Sequence, residues 1–160
     1  MARVALVTGG TRGIGEAISS ALKEAGYTVA ANYGGNDEAA SKFKDKTGIP
    51  VYKWDVSDFA ACQDGIARVE ADLGPIEVLV NNAGITRDTT LHRMKPEQWN
   101  DVIRTNLDSL FNMTRGVIEG MRERNFGRIF KSENVTADEV ITSINAVLAE
   151  DAVLARYVAV

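Results

Sequence analysis

The chain has 160 residues, 45% of them apolar and 25% charged, with a formal charge of -4; this describes one globular domain with a real core rather than a disordered or fibrous chain. Its basic residues are scattered among acids, which excludes the electrostatic footprint of a nucleic-acid binder. No apolar run approaches the roughly 20 residues needed to span a bilayer, and the lone Cys62 cannot close an internal disulfide, so a cytoplasmic protein with no membrane partner is expected.

In chain order, Val4 to Val7 is continuously apolar and reads as a strand buried on both faces. Gly13 to Ala25 reads as a helix, with Ile14, Ile18, Ala21, Leu22 and Ala25 on one side and Gly26 as its stop. Thr28 to Tyr33 is a second strand, Asp37 to Lys46 a short helix ended near Gly48, and Val51 to Trp54 a third strand. Phe59, Cys62, Ile66, Val69 and Leu73 recur at three- and four-residue steps, placing them on one helical face. Gly74-Pro75 ends that helix, and Glu77 to Val80 is a fourth buried strand. Pro96 suits the first turn of a long helix predicted to run to about Arg124, and a fifth strand begins near Gly127. Strands alternating with helices at this spacing predict an α/β class: a Rossmann-like, doubly wound parallel sheet with right-handed crossovers over residues 1–130.

Two loops carry the chemistry. Thr8 to Gly15 joins the first strand to the first helix with glycines at 9, 10, 13 and 15. Such glycines let the backbone turn tightly and approach a pyrophosphate, which the helix N-terminus then faces with unpaired amides. The strand-to-helix setting is the context that gives this pattern meaning. Asn81-Asn82-Ala83-Gly84 follows the fourth strand. Strands one and four flank the reversal point of such a sheet, so both loops line one crevice.

The spacing Gly-x3-Gly-x-Gly together with Asn81-Asn82-Ala83-Gly84 resembles the short-chain dehydrogenase/reductase family from Arg3 to about Ile129. Enzymes that prefer NAD usually place an acid at the end of the second strand to hold the ribose 2′-hydroxyl. Here that place reads Asn32-Tyr33-Gly34, while Arg12 within the glycine loop is either a solvated arginine or a partner for a 2′-phosphate. The lack of a carboxylate favours the phosphate and NADP(H) as cofactor. The cofactor-binding set is then Gly9, Arg12, Gly13, Ile14, Gly15, Asn32, Tyr33, Gly34, Asp55, Val56, Asn82, Ala83, Gly84, Ile85 and Thr86. Within it the resemblance turns Asp55 toward the adenine and gives Val56 a backbone contact. Asp55 also reads as an acid near a helix N-terminus, a role for which Asp58 is the more natural candidate.

Trp99, Ile103, Asn106, Leu110, Met113, Val117 and Met121 share one predicted helical face, so Asn106 is an amide in an apolar stripe. It either satisfies a neighbouring backbone or serves a site. The resemblance assigns Thr105-Asn106-Leu107 to the segment whose asparagine belongs to the catalytic tetrad and holds a water in the proton relay. Gly48 to Asp55 and Ile85 to Asp88 look most like the bacterial acetoacetyl-CoA reductase branch, with the 3-oxoacyl-carrier-protein reductases close by. That implies NADPH-dependent reduction of acetoacetyl-CoA to 3-hydroxybutyryl-CoA, as in polyhydroxybutyrate biosynthesis, with Asp88 on the substrate side. It also implies a homo-oligomer built through the helix over residues 96–124. His92 has no nucleophile and no metal-ligand spacing beside it, so no metal site is expected.

After Ile129 the resemblance stops. The position of the family's catalytic serine holds Asn134, Ser132 falls two residues early, and no Tyr-x3-Lys occurs in the 160 residues. In the family that tyrosine moves the hydroxyl proton while the lysine lowers its pKa. A catalytically incomplete NADP(H)-binding module or an interaction fragment is therefore the alternative expectation. Residues 131–160 have their own pattern: Thr136-x-x-Glu139 is a capping box and Val140, Ile141, Ile144, Val147 and Leu148 form an apolar stripe, predicting a helical tail on a truncated sheet.

Overall fold

The computed structural model describes residues 2–132 together with Thr142. Its centre is β1 (Val4–Val7), whose side chains are all buried. Parallel neighbours pair with it on both edges: β2 (Thr28–Tyr33) and β4 (Ile76–Asn81). β3 (Val51–Lys53) and β5 (Arg128–Lys131) extend the sheet to the order β3-β2-β1-β4-β5, every pair parallel. An unbroken apolar run is what such a position demands, because alternate residues face opposite layers and neither layer is water.

The two layers are distinct. Ala5, Val7, Val78 and Val80 point to one side, where Ile18 and Leu22 of α1 (Gly13–Glu24) and Phe43 of α2 (Asp37–Thr47) meet them. Val4, Leu6, Ile76 and Leu79 point to the other, against Cys62, Ile66 and Val69 of α3 (Phe59–Leu73) and Met113, Val117 and Met121 of α5 (Ser109–Glu123). The crossovers through α1 and α2 thus run on one face and those through α3 and α5 on the other. Strand order reverses between β1 and β4, and a crevice opens at the carboxyl ends there. The expected Rossmann-like, doubly wound architecture is the one found.

The caps follow the sequence. Asn36 Oδ1 accepts from Ala39 N at 2.9 Å to start α2, and Gly48 ends it at φ +69°. Asp58 Oδ1 accepts from Ala61 N at 2.9 Å to start α3, so the N-cap there is Asp58 and not Asp55.

One expected element differs. The helix predicted to run unbroken from Pro96 to Arg124 is α4 (Pro96–Ile103), a π-helical turn over Arg104–Asp108, then α5. The wider turn re-phases the helix, so its apolar stripe does not continue through α4: Trp99 is 55% exposed while Met113, Val117 and Met121 are buried. Ile14 and Phe59, also expected on buried faces, are largely exposed, Ile14 because it lies in the crevice wall and Phe59 because it stacks on Phe111 instead, ring centroids 6.0 Å apart. The predicted tail helix, the 131–160 segment and Asn134 lie outside the described residues, Lys131, Ser132 and Thr142 excepted.

Candidate functional site: a crevice between two loops

A cleft of about 780 Å³ opens at the reversal point, walled by the glycine loop, the end of β2, the segment after β3 and the loop after β4. Thr8, buried at the end of β1, joins the first and last of these. Its Oγ1 accepts from both Asn82 N and Ala83 N at 3.0 Å, and donates to Val80 O at 3.4 Å. Asn82 returns the contact: its Nδ2 donates to Thr8 O at 3.0 Å and Gly9 O at 3.2 Å. The amide's remaining oxygen accepts from Ser132 Oγ at 2.8 Å, just past β5. One short network therefore ties three strand ends together.

The glycines are required for different reasons. Gly9 (φ +61°) and Gly13 (φ +55°) hold backbone conformations that L side chains rarely adopt. Gly15 has an ordinary φ, but a Cβ there would run into Gly9 O and Asn82 Nδ2, so α1 approaches the β4 loop only without a side chain. This is the close helix-to-strand packing a dinucleotide fold asks of that glycine.

Fourteen of the residues expected to bind cofactor line this cleft: Gly9, Arg12, Gly13, Ile14, Gly15, Asn32, Tyr33, Gly34, Asp55, Val56, Asn82, Ala83, Gly84 and Ile85. Thr86 and Asp88 are exposed on the outgoing loop, outside the lining, where Thr86 Oγ1 and Asp88 Oδ2 approach to 3.5 Å. Arg12 is exposed, and no described side chain pairs with its guanidinium. Asn32 is only 1% exposed, and its amide is spent inside: Oδ1 accepts from Gly9 N at 3.4 Å and Nδ2 donates to Trp54 O at 3.1 Å. It braces the glycine loop against the end of β3. Asp55 stands on the wall and accepts from Ser57 N at 2.8 Å, closing its own turn.

Asn106 lies within the π-helical turn, behind the lining. Its amide is wholly engaged with one residue: Oδ1 accepts from Ile85 N at 2.9 Å and Nδ2 donates to Ile85 O at 3.0 Å. The reading that it satisfies a neighbouring backbone describes its side chain. Asn112, which sequence reasoning did not single out, does the same on the opposite wall by donating to Val56 O at 3.0 Å. Both loops thus hang from one helical rod. Its first turns also bring Asp101, Arg104 and Thr105 to the cleft, with Arg87 Nη2 3.4 Å from Asp101 Oδ2. Cys62 sits beneath the Val56 wall, and burial, reinforced by Asp55 and Asp58, pushes its thiol up to about 12. His92 is exposed in a short 3₁₀ turn, Leu91–Arg93. Among the described residues there is no group of three metal-ligating side chains, and no helix long and apolar enough to cross a membrane.

The profile of the short chain dehydrogenase family matches residues 3–144. The chain belongs to that family. It is 66% identical over 139 residues to the acetoacetyl-CoA reductase of Shinella zoogloeoides, covering 87% of this chain and 58% of that one. The acetoacetyl-CoA reductase of Rhizobium meliloti (strain 1021) is 64% identical over the same shares. The 3-oxoacyl-[acyl-carrier-protein] reductase of Escherichia coli (strain K12) is 40% identical, covering 79% of this chain and 52% of that one. Among solved structures, gox2181 superposes with a TM-score of 0.77 at 29% identity, covering 81% of this chain and 52% of that one. The chain thus spans a little over half the length of these relatives.

Proposed function

We propose that this chain supplies the NADP(H)-binding part of a 3-oxoacyl thioester reductase, with acetoacetyl-CoA as substrate and 3-hydroxybutyryl-CoA as product. The observation that carries the reading is the crevice: a glycine-paved floor, an Arg12 in its lining that no described side chain pairs and, at the end of β2, an uncharged Asn32-Tyr33-Gly34 turn. A 2′-phosphate brought there meets a guanidinium, and the one carboxylate that Tyr33 touches, Asp37, is already paired with the Lys53 ammonium. When bound, the nicotinamide supplies a hydride to the substrate's 3-keto carbon. The chain's own residues hold and orient: Gly9, Gly13 and Gly15 admit the pyrophosphate, Asp55 and Val56 flank the base, and Asn82 to Thr86 border the nicotinamide side. Asn106 keeps that border in place through Ile85 and, as the family resemblance implies, belongs to the segment that holds a water of the proton relay, while Asp88 faces the incoming thioester. The identities to acetoacetyl-CoA reductases support the substrate, and a cytoplasmic setting fits one buried thiol and no disulfide. Exposed Leu107 and Phe111 on the 96–124 helix support association between copies.

A second reading applies to the 160 residues themselves: cofactor binding without turnover. It is favoured by Phe130-Lys131-Ser132-Glu133-Asn134, which departs from the family's serine segment, and by the lack of any Tyr-x3-Lys in the sequence. Ser132, the one described hydroxyl there, is engaged with Asn82. Titration of nucleotide fluorescence beside NADPH oxidation with acetoacetyl-CoA tests both. NADPH should bind more tightly than NADH, and Arg12→Gln should weaken NADPH about tenfold while sparing NADH. Tighter NADH binding would overturn the NADP(H) assignment, and turnover near 1 per second or above, roughly the range of working reductases, would overturn the binding-only reading.

A further inference from the structure

A charged constellation adjoins the crevice where β2 turns into α2. Tyr33 lines the crevice, and its register partner on β3 is Lys53. Both reach Asp37, the first residue of α2: the Tyr33 hydroxyl donates to Oδ1 at 3.1 Å, and the Lys53 ammonium donates to both carboxylate oxygens at 2.9 Å. A phenol and an ammonium therefore converge on one anion, directly after Gly34, Gly35 and Asn36 have carried the crevice wall to that point. The Lys53 and Asp37 side chains are 50% and 66% exposed. An ion pair so exposed is worth little to folding and exchanges partners readily.

We propose that Tyr33, Asp37 and Lys53 form an exchange clamp for the nucleotide's 2′-phosphate. In the free protein the Asp37 carboxylate occupies the place of the phosphate. When the phosphorylated nucleotide binds, the Lys53 ammonium and the Tyr33 hydroxyl turn to phosphate oxygens, opposite the guanidinium of Arg12. A phosphomonoester wins this exchange because it carries about -1.5 to -2 charge and three acceptor oxygens against the single charge of a carboxylate. A ribose 2′-hydroxyl brings no charge, so with the unphosphorylated nucleotide Lys53 stays on Asp37. Asp37 thereby sets a threshold: it costs affinity for the phosphate while keeping the cation in place. The clamp rests on the NADP(H) reading above and adds to it residues that the glycine loop does not contain.

The test is binding of NADPH and NADH to the 160-residue chain, followed by nucleotide fluorescence at two salt concentrations. Lys53→Gln should weaken NADPH about five- to tenfold, flatten its salt dependence and leave NADH within about twofold. Asp37→Asn should tighten NADPH by a similar factor and leave NADH unmoved, a gain that a merely structural role for Asp37 does not produce. An NADPH-to-NADH affinity ratio that stays the same in both variants while Arg12→Gln changes it overturns the clamp alone. A ratio of one in the unaltered chain, or no binding of either nucleotide, overturns the NADP(H) reading and the clamp with it.

Discussion

Replacing Thr8 by valine isolates the network that joins the two nucleotide loops. The change keeps volume and branching, so β1 and its packing are preserved. What goes is one oxygen, which accepts from Asn82 N and Ala83 N at 3.0 Å each and donates to Val80 O at 3.4 Å. Thr8 is 2% exposed, so water does not take over its place without rearrangement. Two backbone N–H groups are left without an acceptor, at about 1–3 kcal/mol each when buried. Both belong to half-buried residues, so the lower end applies and about 2–3 kcal/mol is expected in total. Urea unfolding reads this directly against a total stability of order 5–15 kcal/mol. Thr8→Ser keeps the oxygen and loses only a methyl, about 1 kcal/mol, so it should fall between the parent chain and the valine variant. If Thr8→Val stays within about 0.5 kcal/mol of the parent, or if serine costs as much as valine, the oxygen does not hold the loops and the account of the crevice is wrong.

Two other outcomes are expected. Asn106→Ala removes both contacts to Ile85, and should lower stability by about 1 kcal/mol and speed hydrogen exchange at the Ile85 amide; unchanged exchange there would show that the amide does not hold the loop. Cys62, with its thiol raised to about 12 by burial, should resist aromatic disulfide reagents at pH 8 in the native chain and react at once in urea; rapid native labelling would mean that the wall beneath Val56 opens.

What could be read from the sequence was what depends on local pattern. The apolar run of β1, the three- and four-residue period of α3, the Asp58 cap and the two loops at the reversal point all follow from residues close together in the chain. The π-helical turn did not, since no residue from 104 to 108 breaks the 3.6-residue pattern and the partner of its Asn106, Ile85, is distant in sequence. Asn32 was legible as a strand end but not as a brace, because its partners Gly9 and Trp54 are distant in sequence. Asn112 and the Tyr33, Asp37 and Lys53 group escaped for the same reason: each becomes a unit only when β2, β3 and the helices are in place.

The paired attachments of Asn106 and Asn112 have a mechanical consequence. The loop after β3 and the loop after β4 are fastened to a single rod at points six residues apart, Asn106 in the π-helical turn and Asn112 in α5. The rod acts as a caliper whose jaws are the crevice walls. The aperture is therefore written in the helix and not in the loops that border it, and inserting or deleting one residue between the two asparagines would rotate one jaw about 100° off its wall. Engineering the width of this crevice is a matter of helical phase, carried out at residues that touch no ligand.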